Sequence, residues 1–290
     1  MRIFVTGCAG QVGAEVVATL TRRNEARRRN AKFDVIAASH DDLDVADRDE
    51  VLAAIVTTEP DIVIHVAAFT NVDACESQQD RAYGVNALGT RNVQEAARLV
   101  GAHVAYLSSD YVFDGTLPRP YLEWDAPNPL SVYGRSKLGG EIECSEASTI
   151  IRTSWVCGRF GSNMAKTVLK LAGASDGPLR FVDDQRGCPT IASDLASVVC
   201  DLAIARRPGI FHVTNQGATT WYGFAKAVVE AAGGDVARVS PISTAELSPP
   251  RPAPRPANSV LENAALRFSG MTLLPDWHDA LASLVRELGQ

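Results

Sequence analysis

The residues best suited to chemistry are Tyr133 and Lys137, which stand four apart in the run Tyr133-Gly-Arg-Ser-Lys137. On a helix, positions i and i+4 share a face, so phenol and ammonium point the same way. A free phenol titrates near about pH 10. A neighbouring cation favours the phenolate and brings the group closer to proton transfer at neutral pH. Upstream lies Leu107-Ser-Ser-Asp-Tyr-Val-Phe-Asp-Gly115, at the carboxyl end of a predicted strand, where open α/β sheets place their sites. Ser109 there could bind a carbonyl oxygen beside Tyr133. Taken singly, the Tyr–Lys spacing also describes a surface pair, and the serines also describe a strand cap. Their conjunction is what points to proton transfer at a carbonyl.

A third feature is Gly7-Cys-Ala-Gly10-Gln-Val-Gly13, which joins a strand-like start to a helical pattern. Glycines there permit a tight turn and let backbone N–H groups meet a pyrophosphate at a helix N-terminus. The spacing is G-x-x-G-x-x-G, and a plain tight turn is the competing reading. The second predicted strand ends near Ala37-Ala-Ser-His40, without the usual acid at its end to bind a ribose and repel a 2′-phosphate. An arginine for that phosphate is missing too, with His40 in its region, so NADPH and NADH both remain open.

These groups need a frame. Segments 3–5, 34–38, 62–65, 103–108 and 149–153 are short, apolar and partly β-branched, as strands buried on both faces are. Helical patterns cover 14–23, 49–57, 79–100 and 132–145. Such alternation predicts right-handed crossovers and a Rossmann-type, doubly wound parallel sheet. After about Arg152 the pattern changes to a short strand at 211–213, a helix over 222–232, a proline-rich run over 249–256 and a last helix over 277–288. By composition the proline-rich run reads as a linker. The expected organisation is an α/β nucleotide-binding domain over 1–152, strands around 181–215 returning to it, and a smaller discontinuous substrate lobe over 153–290.

With 28 Lys+Arg, 34 Asp+Glu and a net charge of −6 over 290 residues, the chain lacks the basic face of a nucleic-acid binder. Its one basic cluster, Arg22-Arg23 and Arg27-Arg28-Arg29, reads as a solvated helix end and loop. No run of roughly 18 apolar residues suggests a membrane span, and a cytoplasmic protein with reduced thiols is expected. The six cysteines show no metal spacing and read as core packing. Asp73 and Glu76 read as a solvated acid pair, with no metal expected. His65, His212 and His278 read as core histidines, and Tyr111 and Trp155 also have a core-packing reading.

Together these motifs resemble the extended short-chain dehydrogenases, and within them the dTDP-4-dehydrorhamnose reductases. The resemblance continues through Leu43-Asp-Val45, Ala67–Glu76, Val85-Asn-Ala87, Tyr121-x-Glu123-x-Asp125, Arg152-Thr-Ser-Trp-Val156, Asp184–Thr190 and Arg255-Pro-Ala-Asn-Ser259. It implies Ser109, Tyr133 and Lys137 as the catalytic set, and Gly7, Gly10, Gln11, Val12 and Gly13 as the pyrophosphate turn. It implies Asp44 and Val45 beside the adenine, with His40 nearby, and Ala67, Ala68 and Thr70 beside the nicotinamide. Val72, Tyr111, Trp155 and Arg255 fall on the substrate side, which would make Arg255 part of an ordered lobe. The implied reaction reduces the C4 ketone of a dTDP-linked 4-keto-6-deoxy sugar to dTDP-L-rhamnose with NADPH or NADH. Hydride goes to C4, a proton comes from Tyr133, and the protein acts as a monomer or homodimer. The sequence departs from the family at His40, at the long basic segment 21–32 and at Cys157. Another nucleotide-sugar ketoreductase or epimerase of this fold, or a non-catalytic dinucleotide-binding subunit, are the alternatives.

Overall fold

The computed structural model describes residues 1–26, 32–174 and 177–289; the run Arg27-Arg28-Arg29 lies outside the described residues. The first half of the chain forms β1 (Arg2–Thr6), α1 (Gln11–Glu25), β2 (Asp34–Ala38), α2 (Arg48–Thr58), β3 (Ile62–His65), α3 (Val72–Ser77), α4 (Gln79–Tyr83), α5 (Gly89–Val100), β4 (His103–Ser109) and α6 (Val132–Glu143). There follow β5 (Thr149–Thr153), β6 (Val156–Cys157), α7 (Met164–Ala174), β7 (Leu179–Val182), β8 (Arg186–Gly187), β9 (Thr190–Ile191), α8 (Ala192–Ile204), β10 (Gly209–His212), β11 (Thr219–Thr220), α9 (Trp221–Ala231), β12 (Val239–Ile242), α10 (Ala264–Phe268) and α11 (Trp277–Leu288).

Six strands form one parallel sheet in the order β10-β5-β4-β3-β1-β2. Side chains alternate across it. Ile3, Val5, Ile62 and Ile64 face a core shared with α1 and α8, while Phe4, Val63 and Val104 face one shared with α2 and α5. Burial on both faces is why these strands read as unbroken apolar runs. From β1 the chain goes outward to β2, then crosses back to β3 on the other flank of β1. That reversal opens a crevice between the carboxyl ends of β1 and β3, the place where such sheets bind ligands. Of the 181–215 region, Gly209–His212 enters this sheet, whereas Leu179–Val182 pairs with β12. A separate core joins α7, α9 and α11 around Phe224, Val228, Trp277 and Leu281.

Several expectations change. The helix expected over 79–100 is interrupted by a π-helical segment, Gly84–Leu88, a feature that often marks functional sites. The proline-rich run is no free linker, because Ala253 is buried and Arg251, Ala253 N–H and Arg255 all bond Asp73. The same bonds overturn the solvated reading of Asp73, and Glu76 accepts the Val132 N–H at 2.8 Å. His65 and His212 are buried, but His278 leaves 64 % of its side chain exposed, stacked on Trp277 and bonded to Asp276. Four cysteines are buried, Cys8 and Cys144 are partly so, and all six are free thiols. Arg22 and Arg23 lie in the last turn of α1, at the far end of this 15-residue helix from the glycine turn. Among the described residues no helix is long and apolar enough to cross a membrane, and no group of three acids, histidines or cysteines could hold a metal.

One buried ion pair seats α6. Arg152 of β5 donates from Nε and Nη2 to the two oxygens of Glu141 at 2.8 and 2.7 Å, and Ser108 of β4 donates to Glu141 at 2.5 Å. Their side chains are 2 % and 5 % exposed. Removing one partner of such a pair strands a buried charge and costs about 3–5 kcal/mol. Glu141→Gln is therefore expected to lower the unfolding free energy by about that amount, measured by urea denaturation with matched slopes.

Candidate active site

The glycine turn sits at the opening between β1 and β3. Gly7 has φ +67, and a Cβ on it would lie 2.7 Å from Ala67 Cα, just after β3. A Cβ on Gly13 would overlap the Gly7 carbonyl. Both positions thus require glycine, for conformation and for close approach. Gly10 caps α1 without a side-chain bond, which leaves backbone N–H groups of the first turn to meet an anion. The turn therefore fits a dinucleotide pyrophosphate. Val12 is buried in the core, so only its backbone can take part. Gln11 is committed elsewhere: it donates to Ser162 O and accepts from Asn163 Nδ2, both at 3.1 Å. It ties the turn to the loop that precedes α7.

At the end of β2, His40 is exposed. Two residues on, Asp42 Oδ2 accepts from Ser39 N–H and Oγ at 2.9 and 2.6 Å. These bonds hold its carboxyl below the usual range, and its charge helps push the Cys8 thiol up, after burial itself. Asp42 thus lies close to the glycine turn. Asp44 accepts from Ala46 N–H at 3.0 Å. Val45 is 4 % exposed, and a Cβ on Gly89 of α5 would meet it, so its side chain belongs to the core.

Beyond β3, Ala67 and Ala68 are half-buried and Thr70 is exposed. This segment is pinned by Asn86, fully buried in the π segment. Asn86 accepts from Phe69 N–H at 2.8 Å, donates to Phe69 O at 3.1 Å and donates to Ser136 of α6 at 2.9 Å. No role for Asn86 was read from the sequence; the small polar Val85-Asn-Ala87 run inside a helical pattern was the available signal. Val72 opens α3, capped by Asn71.

Tyr133, Lys137 and Glu141 follow at i, i+4 and i+8 on α6, so one helix face carries all three. Lys137 is 2 % exposed, and its Nζ sits 4.3 Å from the centre of the Tyr106 ring. Burial pulls it down to about 7, against the opposing pull of Glu141. Burial pushes the Tyr133 phenol up, while Ser109 acts against this through a side-chain hydrogen bond. Ser109 is 7 % exposed at the end of β4, and Tyr111 presents its ring edge to Tyr133 with centroids 5.8 Å apart. Behind them His65 bonds Thr6 at 2.8 Å and Thr90 at 3.3 Å. Burial takes its pKa to about 3, so it stays neutral.

The fold thus brings Ser109, Tyr111, Tyr133 and Lys137 together. It places Arg255 on the neighbouring α3 instead, with two nitrogens each 2.9 Å from an Asp73 oxygen. That guanidinium is matched to a carboxylate, which orders it, and its charge is felt by the Tyr111 phenol. Trp155 has φ 46, a strained backbone for a bulky residue. It lies face to face with Trp221 of α9, centroids 3.5 Å apart, so one face of this expected sugar wall is covered by protein.

A family model described as RmlD substrate binding domain matches residues 1–290. The dTDP-4-dehydrorhamnose reductase of Sinorhizobium fredii is 40 % identical over 98 % of this chain and 97 % of its own. A solved dTDP-4-dehydrorhamnose reductase from Clostridium acetobutylicum superposes with a TM-score of 0.93 at 38 % identity, covering 100 % of both chains. That of Bacillus anthracis, solved in complex with NADP, gives 0.88 at 34 % identity over 99 % of each. With motifs, fold and full-length similarity in agreement, the chain belongs to the dTDP-4-dehydrorhamnose reductase family of extended short-chain dehydrogenases.

Proposed function

We propose that this protein reduces the C4 ketone of dTDP-4-dehydro-L-rhamnose to the alcohol, with a nicotinamide dinucleotide as reductant. The observation that carries the reading is the meeting of Ser109, Tyr133 and Lys137 at the carboxyl end of β4, one strand from a glycine turn shaped for a pyrophosphate. The dinucleotide, when bound, supplies hydride to the carbonyl carbon. Tyr133 holds its proton at Oη and gives it to the oxygen on which negative charge develops. Burial, by raising the phenol pKa, keeps that proton in place until the more basic alkoxide forms. Ser109 hydrogen-bonds the same oxygen. Lys137 stands one turn on, where an ammonium stabilises charge on the phenol and can bond a ribose hydroxyl. Its low pKa reflects a dry, buried setting that a ligand's hydroxyls would make more polar. Asn86 fixes the strand-end segment against which the nicotinamide would lie.

The test is nicotinamide absorbance with purified protein and dTDP-4-dehydro-L-rhamnose. Tyr133→Phe is expected to lower kcat about 10²–10⁴-fold while dinucleotide binding persists. Protein that binds dinucleotide but leaves it unoxidised would sink the rhamnose assignment. Asp42→Ala should tighten NADPH relative to NADH roughly fivefold in direct titrations, because it removes a negative charge near the adenosine end. Lys137 makes a separate prediction. Between about pH 7 and its ordinary 10.5 the unfolded chain binds the extra proton, so stability rises with pH there; below about 7 the full cost of burying the ammonium is present. Lys137→Met should therefore stabilise the unliganded protein in denaturant titrations, more at about pH 6.5 than at about pH 9, while losing activity.

A further inference from the structure

One buried acid beside the reacting groups has no part in the reduction so far. Asp110 follows β4 directly and is 2 % exposed. Its Oδ1 receives the Ser109 hydroxyl at 3.0 Å, whereas its Oδ2 is buried without a hydrogen-bond partner among the described residues. Ser259 lies near enough to influence the carboxyl, but its own hydroxyl is directed to Arg186 O at 3.3 Å.

The valences of Ser109 decide what this means. A serine hydroxyl has one proton to give and two lone pairs. One lone pair is already taken by the Tyr111 N–H at 3.2 Å. When Asp110 is ionised it takes the serine proton, as the 3.0 Å contact describes. With its proton committed, Ser109 can meet the neighbouring Tyr133 phenol only as an acceptor, drawing that proton away from a substrate oxygen. When Asp110 is protonated its own O–H can fill the remaining lone pair. Ser109 then has its proton free for the substrate oxygen, and the Tyr133 proton is released for transfer.

We propose that Asp110 is a positioning residue that sets the direction of the Ser109 hydroxyl, with its acid form the competent one for carbonyl reduction. The inference rests on the reductase reading above and deepens it. Burial, partly offset by the Ser109 bond, the nearby Ser259 hydroxyl and backbone N–H groups, brings Asp110 to about 7, so both forms exist near neutrality. The titratable groups that sense its charge are Tyr111 beside it, Tyr133 on α6 and Cys188 ahead of β9. Burial raises all three above their ordinary values, so they are neutral in this range.

The experiment compares kcat/KM of wild type and Asp110→Asn from about pH 6 to 8.5, with saturating dinucleotide. An asparagine amide donates to Ser109 at every pH and imitates the acid form. Lys137 titrates in both proteins and cancels in their ratio. The ratio of variant to wild type is expected to climb about tenfold or more across this range, as the wild-type acid form is depleted. A flat ratio from an active wild type overturns the inference and leaves the reductase reading standing. A wild type that binds dinucleotide yet reduces no keto-sugar overturns both. Should Asp110→Asn fail to fold, as judged by circular dichroism, Ser109→Ala replaces it: without the hydroxyl, its residual rate must lose the same pH step, and retention of the step overturns the proposal.

Discussion

The buried pairing of Arg152 with Glu141 is the contact on which the rest of the site hangs. It joins the last turn of α6 to β5 and, through Ser108, to β4. Because Glu141, Lys137 and Tyr133 share one helix face, fixing the first fixes the azimuth of the other two. A salt bridge taken out of water is a weak source of net stability, since desolvation opposes the attraction. Its worth here is directional: two parallel N–H···O bonds admit one orientation of the helix.

Around that anchor the polar groups are arranged in a dry interior where each unmet bond is costly. Asn86 spends its amide on both backbone groups of Phe69 and on Ser136, so the segment after β3 and helix α6 share one brace. The π segment that carries Asn86 also gives its carbonyl to Thr90 and Tyr106. His65, neutral between Thr6 and Thr90, closes the layer below Lys137. Asp110 and Lys137, near Tyr133, are groups whose burial is only partly compensated. Incomplete compensation at functional groups is the usual cost of reactivity.

The C-terminal half is joined to this frame by side chains rather than by sheet pairing alone. Gln11 reaches across to Ser162 and Asn163, and Glu15 of α1 binds Arg159 at 2.8 Å. Asp73 gathers Arg251 and Arg255 from the proline-rich segment. Ligand turn, substrate-side loop and proline-rich strap are therefore mechanically linked, with the strained Trp155 at the turn out of β5.

Much of this was legible in the residues themselves. Short β-branched runs must be buried strands, the Gly7–Gly13 spacing needs backbone without Cβ, and Tyr133 and Lys137 meet on any helix; all three depend on local periodicity, which a chain carries in its own order. Local order could not reveal partners brought in from afar. It gave no sign that Arg255 pairs with Asp73, which lies 182 residues away. It did not show that Asp42 folds back onto Ser39. It offered Ser109 as a donor, although burial next to Asp110 gives that hydroxyl a different first partner. The identity and spacing of reactive groups belong to the sequence; their protonation, pairing and direction belong to the tertiary structure, because those depend on desolvation and on charges that only folding brings into contact.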